Sequence, residues 1–372
     1  MRKILPLLLL AVSTAPVLLA QQPENAQHPV QPAQPSAQEA QPQAAPTGKR
    51  KKSPPPPPRR LPEAAHLSTV AMVDLPGRPG FSDIAFANNE LVVSQTNANS
   101  IDIFDPQNRR LVAQVTNIAQ PRGIAVDARN NRFYVATANS VIAVISSQDW
   151  QVKDTFAVQG SPDVLALSPD GLRLYVGDKE NSTVSAVDTS LRRTIGTVQL
   201  DGRPECIATG DGHMTWVSVQ DSATVVGIDP ELKIAAQYKL NASQPAGLVY
   251  DANLHRIYVA VRSAVIALDA DHGNEVARVP AAPGVEDLTL DSAGHTLFAA
   301  GGGAILSMNT AGGLKEVDDL LADVKGHNIV FDPGRKLLFL PGGREGRSKM
   351  LIVKDLSQAG AQPQTETDAA LH

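Results

Sequence analysis

Cysteine is almost absent: Cys206 is the single one in 372 residues. One thiol excludes an intramolecular disulfide framework, a CxxC redox motif, a CxxCH haem attachment and a cysteine zinc cluster. Aromatic residues make up 4% of the chain, whereas Gly and Pro number 27 and 28, a balance that argues against a helical bundle. No segment carries an apolar stripe at helical spacing over a useful length. A G-x-S-x-G elbow, a Walker loop and a dinucleotide fingerprint are missing too. Gly301-Gly302-Gly303 reads as a tight loop between strands, without the following helix that phosphate cradling needs.

The one long apolar run stands at the start of the chain. Arg2 and Lys3 form a basic region, residues 4–19 are almost wholly apolar, and Leu18-Leu19-Ala20 precedes Gln21 as a small-residue cleavage site. Residues 1–20 therefore read as a signal peptide. The run is short for a membrane span, an uncleaved anchor being the alternative, and no cysteine follows to carry a lipid. A secreted or periplasmic protein with no transmembrane helix in its mature chain is expected. Residues 21–63 are Gln, Pro and Ala with little aliphatic bulk, a composition that cannot offset chain entropy and is expected to be disordered. Residues 358–372 read the same way, as a C-terminal tail.

Charge divides the chain. Residues 1–60 hold eight of the 33 Lys and Arg but only two of the 38 Asp and Glu, so the remainder carries 25 against 36, a net −11. Six of the cations (Lys49, Arg50, Lys51, Lys52, Arg59 and Arg60) flank the proline run 54–58. They could contact an anionic surface, or belong to a solvated tether. An acidic body is a poor nucleic-acid binder, since phosphate contacts dominate such affinity.

The body is a repeat. The motifs Val92, Tyr134, Tyr175, Trp216, Tyr258, Phe298 and Leu338 mark equivalent strand positions, at steps of 42, 41, 41, 42, 40 and 40. A second set, Ile84, Ile124, Leu165, Ile207, Leu248, Leu288 and Ile329, opens a short strand with the same period. Seven copies of a forty-residue unit with four short strands predict a seven-bladed, all-β propeller over residues 64–357. After Lys336 the chain supplies only a second and a third strand before it runs out. The segment 66–74 has strand character and is expected to close the last blade as its outer strand, removing an exposed edge.

One unit reads Pro162, Ser168-Pro169-Asp170-Gly171, Tyr175-Val176, Asn181, Val187-Asp188-Thr189. It resembles the YVTN repeat of YncE-like and prokaryotic surface-layer proteins. Other copies are looser, with Tyr134-Val135 and Asn139, or Tyr258-Val259 without the Asn. The resemblance spans about residues 66–357 and implies a periplasmic or cell-surface propeller; some relatives are proposed to bind DNA or proteins. The stretch from Gly326-His327-Asn328 to Asp332-Pro333 is similar, in one blade only, to 6-phosphogluconolactonase-like propellers.

In a propeller, the loops before the inner strand and between the second and third strands share one face, where ligands meet the channel mouth. The position two before each anchor gives Ser82, Arg122, Asp163, Glu205, Ala246, Glu286 and His327; the next adds Asp83, Asp287 and Asn328. This mixed ring could bind a polar or cationic ligand, or a divalent cation between carboxylates, or could simply satisfy turn backbones around a watery channel. His327 is the one candidate for a catalytic base, with Glu286 or Ser82 as partner. His213, His255 and His295 fall at one turn position on the opposite face, too far apart for common ligation. Cys206 is expected to be a buried packer whose neighbour Glu205 raises its pKa. Residues 342–347 read as a long polar loop on the mouth face, with Arg344 and Arg347 free to grip an anion. Trp150 and Trp216 occupy unlike places in their repeats and form no platform.

These features favour a binding or scaffold module for a protein or polar ligand. The alternatives are a lactonase-like hydrolase at the mouth, with His327, Arg122 and Glu205, and a cell-surface structural or adhesion module. No resident metal or cofactor is implied, and a monomer is expected.

Overall fold

The computed structural model describes residues 65–210 and 212–357. The signal peptide, the linker with its basic cluster and the C-terminal tail lie outside the described residues. Within them, 28 strands form seven four-stranded antiparallel sheets. Helix is confined to two single 3₁₀ turns, Thr96–Ala98 and Ala128–Asn130.

Blade 1 runs β2 (Phe81–Ala87), β3 (Glu90–Gln95), β4 (Ser100–Asp105) and β5 (Arg110–Thr116) from the inner edge outward. Blades 2 to 6 repeat this order. Blade 7 is built from both ends of the described chain. β26 (Val330–Asp332), β27 (Leu337–Arg344) and β28 (Arg347–Asp355) come from the C-terminal side, and β1 (Leu67–Asp74) pairs with β28 as the outer strand. The ring closes as expected: neighbouring inner strands touch all the way round, and β26 meets β2.

The burial pattern explains why the second and third strands read as apolar runs. Each blade has neighbours on both faces, so β3 is buried at five of its six positions and β4 at all six. The outer strand β5 alternates because one of its faces meets solvent. Apolar clusters lie between blades. At the closure, Phe339 of blade 7 is fully buried with its ring 6.2 Å from that of Phe86 and 6.4 Å from that of Phe104, both edge-on.

The long loop expected at 342–347 is instead strand. Gly342 pairs with Lys349, Gly343 with Ser348 and Arg344 with Arg347, leaving Glu345-Gly346 as a two-residue turn. Both turn residues have positive φ, 52° and 75°, the geometry that continues strand twist through a tight hairpin. Arg344 meets Asp323 at 2.8 Å rather than standing free.

Candidate functional site at the channel mouth

One local device aims side chains into the channel. In blades 1, 3, 4 and 6 the pairing of inner and second strands skips one residue: Ser82, Asp163, Glu205 and Glu286. Each is a bulge residue, left out of the ladder and turned from the sheet faces. These are four of the seven ring positions identified by counting.

The next position forms a stitched inner ring, and four chemistries serve one purpose there. Gly123 and Gly247 donate backbone N–H to the Asp163 and Glu286 carbonyls of the following blades, at 2.8 and 2.6 Å. A Cβ at either glycine would stand 2.5 Å from that carbonyl oxygen, so close approach requires glycine. Asp83 bridges with its carboxylate, accepting from Ile84 N at 2.8 Å and from Ile124 N of blade 2 at 2.7 Å. Asp287 does the same between blades 6 and 7, accepting from Leu288 N at 2.8 Å and Ile329 N at 2.9 Å. Asn328 Nδ2 donates to the Ser82 carbonyl of blade 1 at 3.0 Å, and Cys206 Sγ donates to the Leu248 carbonyl at 3.5 Å.

All ten residues singled out at the mouth line one cavity of about 520 Å³, within the roughly 300–1,000 Å³ range of small-molecule sites. Its two sides differ. On the side of blades 2 to 4, Arg122 Nη1 lies 3.5 Å from Asp163 Oδ1 and donates to Ser161 Oγ at 3.1 Å. Lys179 Nζ then bridges Asp163 Oδ2 at 2.7 Å and Glu205 Oε2 at 2.8 Å. Burial opposes the Lys179 charge, but the two carboxylates outweigh it and hold the ammonium above its ordinary pKa. Two cations and two anions thus neutralise one another.

On the side of blades 6, 7 and 1, Glu286 meets only His327, at 3.4 Å, and both are about half exposed. Below them, burial pushes Asp83 up to about 7; the Ile124 and Ile84 N–H groups oppose this, and Asp287 and Asp163 add repulsion. Burial likewise pushes Asp287 up to about 6, against bonds from Ile329 and Leu288 and with repulsion from Glu286. Asn328, 8% exposed, has no partner for its Oδ1 among the described residues. The Cys206 thiol is pushed up to about 12, first by burial and then by Asp287 and Asp83. The adjacent Glu205 is not the cause expected from sequence, because it turns to Lys179.

Ser82 is absorbed by structure: its hydroxyl lies 2.6 Å from Thr96 Oγ1, which donates to the Pro121 carbonyl. The turn histidines stay apart from the mouth. His255 and His295 take left-handed φ of 47° and 49° in hairpins at the far ends of their strands. Lys179, Gln220 and Arg262 also line the cavity and escaped sequence reasoning. A signal was present: they follow the second strands of blades 3, 4 and 5 at steps of 41 and 42, on the loops that share the mouth face.

The fold and this geometry define a seven-bladed β-propeller with a polar cavity at one end of its channel. No family model matches the chain. It is 27% identical to protein NirF of Stutzerimonas stutzeri over 134 residues, 34% of this chain and 33% of that protein. It is 30% identical over 100 residues to the uncharacterized protein YncE of Salmonella typhi and of Salmonella typhimurium, covering 26% of this chain and 28% of theirs. The matches therefore span a third or less of these relatives. A solved structure, Kuenenia stuttgartiensis hydrazine synthase, superposes with a TM-score of 0.66 at 16% identity over 74% of this chain and 96% of that one, a likeness of fold alone. The chain is a seven-bladed propeller that is similar to YncE and NirF over part of its length.

Proposed function

We propose that the protein is a secreted or periplasmic binding module that takes a small polar, positively charged ligand in the mouth cavity. The observation that carries this reading is the asymmetry of charge: blades 2 to 4 are self-neutralised, whereas blades 6, 7 and 1 present three carboxylates against one histidine. A cation entering that side loses little, because no lysine or arginine must be displaced. Compartment rests on residues 1–20; among the described residues no helix is long and apolar enough to cross a membrane. The basic arm at 49–60 would tether the module to an anionic surface such as lipid headgroups or cell-wall polymer. The test is calorimetry with a panel of small organic cations. Glu286→Gln with Asp287→Asn should weaken binding by more than about tenfold, and equal binding by this double variant would refute the reading.

A second reading, hydrolysis of a lactone, has one supporting observation, the 3.4 Å contact of His327 with Glu286. An enzyme also needs an electrophilic stabiliser at the same point, and Arg122 and Glu205 are engaged with Asp163, Ser161 and Lys179 in other blades. Turnover of sugar lactones that falls on the order of 10² to 10⁴ in His327→Ala would support it; no turnover would remove it.

A further inference from the structure

Every polar side chain on the inner ring bonds into the next blade, but one polar atom among them has no partner. Asn328 Oδ1 is unpartnered in a side chain that is 8% exposed and lines the cavity. Its amide cannot be turned to relieve this, because Nδ2 already donates to the Ser82 carbonyl at 3.0 Å, and the reverse orientation would set two oxygens against each other. The carboxylates of the flanking blades, Asp287 and Asp83, bond only to backbone N–H groups, one to each oxygen, and each oxygen keeps a lone pair. Three consecutive blades thus hold hard oxygen donors at the cavity floor with no cation of the protein among them.

We infer that Asp287, Asn328 and Asp83 form a binding site for a hard divalent cation of the calcium type, its remaining positions filled by water from the cavity. This deepens the proposed binding role and rests on it. Oxygen donors select a hard ion. Calcium accepts six to eight oxygens at about 2.3–2.6 Å in flexible geometry, whereas magnesium demands an octahedron at about 2.0–2.1 Å. Donors held on three separate blades suit the flexible shell rather than the strict octahedron. Cys206 faces the same floor but its thiol keeps its proton, so a thiophilic ion gains little there. The other convergent group, Asp269, Asp271 and His272, does not compete. Asp269 already pairs with Arg256 at 2.8 Å and accepts from His272 and Asp271 within its exposed hairpin.

The experiment is calorimetric titration of the full mature chain with calcium chloride at pH 7. Saturable binding is expected, weakened by more than about tenfold in both Asp287→Asn and Asn328→Leu, unchanged in Asp271→Asn, and much weaker for magnesium. Circular dichroism melting without calcium verifies that each variant is folded. No saturable binding by the natural chain, or loss of binding only in Asp271→Asn, would overturn the site. An organic cation that binds at the mouth while calcium does not would overturn this inference and leave the proposed function standing.

Discussion

The two sides of the channel mouth start from the same repeat position and end with opposite electrostatics. In blades 3 and 4 the bulge acids Asp163 and Glu205 share Lys179, the residue that follows a second strand. In blade 6 the equivalent loop is Gly302, which offers no side chain, so Glu286 is paired only with His327 and Asp287 with no cation among the described residues. One cation, placed or omitted in a neighbouring loop, decides whether an acid at this position is a strut or a free ligand group. The repeat supplies geometry, and departures from it supply chemistry.

The comparison can be broken most severely at blade 7, which carries His327 and Asn328 and is completed by β1. Deleting residues 66–74 should expose the β28 edge and lead to aggregation or unfolding, while deleting 21–60 should leave the melting temperature unchanged. Thermal melts of the two truncations check this, and equal damage would contradict the closure. Next in size, Gly247→Ala forces a Cβ to 2.5 Å from the Glu286 carbonyl and 2.8 Å from Asp287 Cα, backbone that cannot give way. Denaturant unfolding should show a loss of about 1–3 kcal/mol, and a neutral result would mean that the stitched ring is not rigid.

A smaller effect tests the acid side by pH. The folded pKa values of Asp83 and Asp287 are raised, so their contribution to stability is full below about pH 4 and is lost as pH rises through about 6 and about 7. The melting temperature should fall between about pH 4 and about pH 7, and the fall should shrink in Asp83→Asn with Asp287→Asn. A fall of the same size in the double variant would assign the titration elsewhere. Smallest of all, Lys179→Met removes the cation between Asp163 and Glu205, leaving Asp163 with Arg122 alone and Glu205 without an ion-pair partner. It should cost little stability, because Lys179 is one-third exposed, yet should let the mouth take up a second small cation in calorimetry.

Sequence made the architecture legible because a period near forty recurs in two independent anchors, and counting from an anchor places a residue in three dimensions. The same counting reached Asp163, Glu205 and Glu286, since bulges recur with the repeat. It missed Lys179 and Arg262 because it was applied to the loop before the inner strand and not to the loop after the second. Partnership across blades was not legible: that Asp83 holds Ile124, that Cys206 faces Asp287 rather than Glu205, and that Asn328 is left with a bare oxygen depend on ring closure, which brings together residues about forty or more apart in sequence. The hairpin of blade 7 was misread because Gly342-Gly343 looks like a loop; pairing with Lys349 and Ser348 makes it strand.

The claim that the unmatched side of the mouth is built for positive charge is tested most directly by a crystal structure of the mature chain grown with calcium. The account predicts an ion at the cavity floor between Asp287, Asn328 and Asp83, with Asn328 Oδ1 turned to it and the Lys179 bridge undisturbed. Calcium absent from that floor, or bound instead by the hairpin of Asp269 and Asp271, would contradict it.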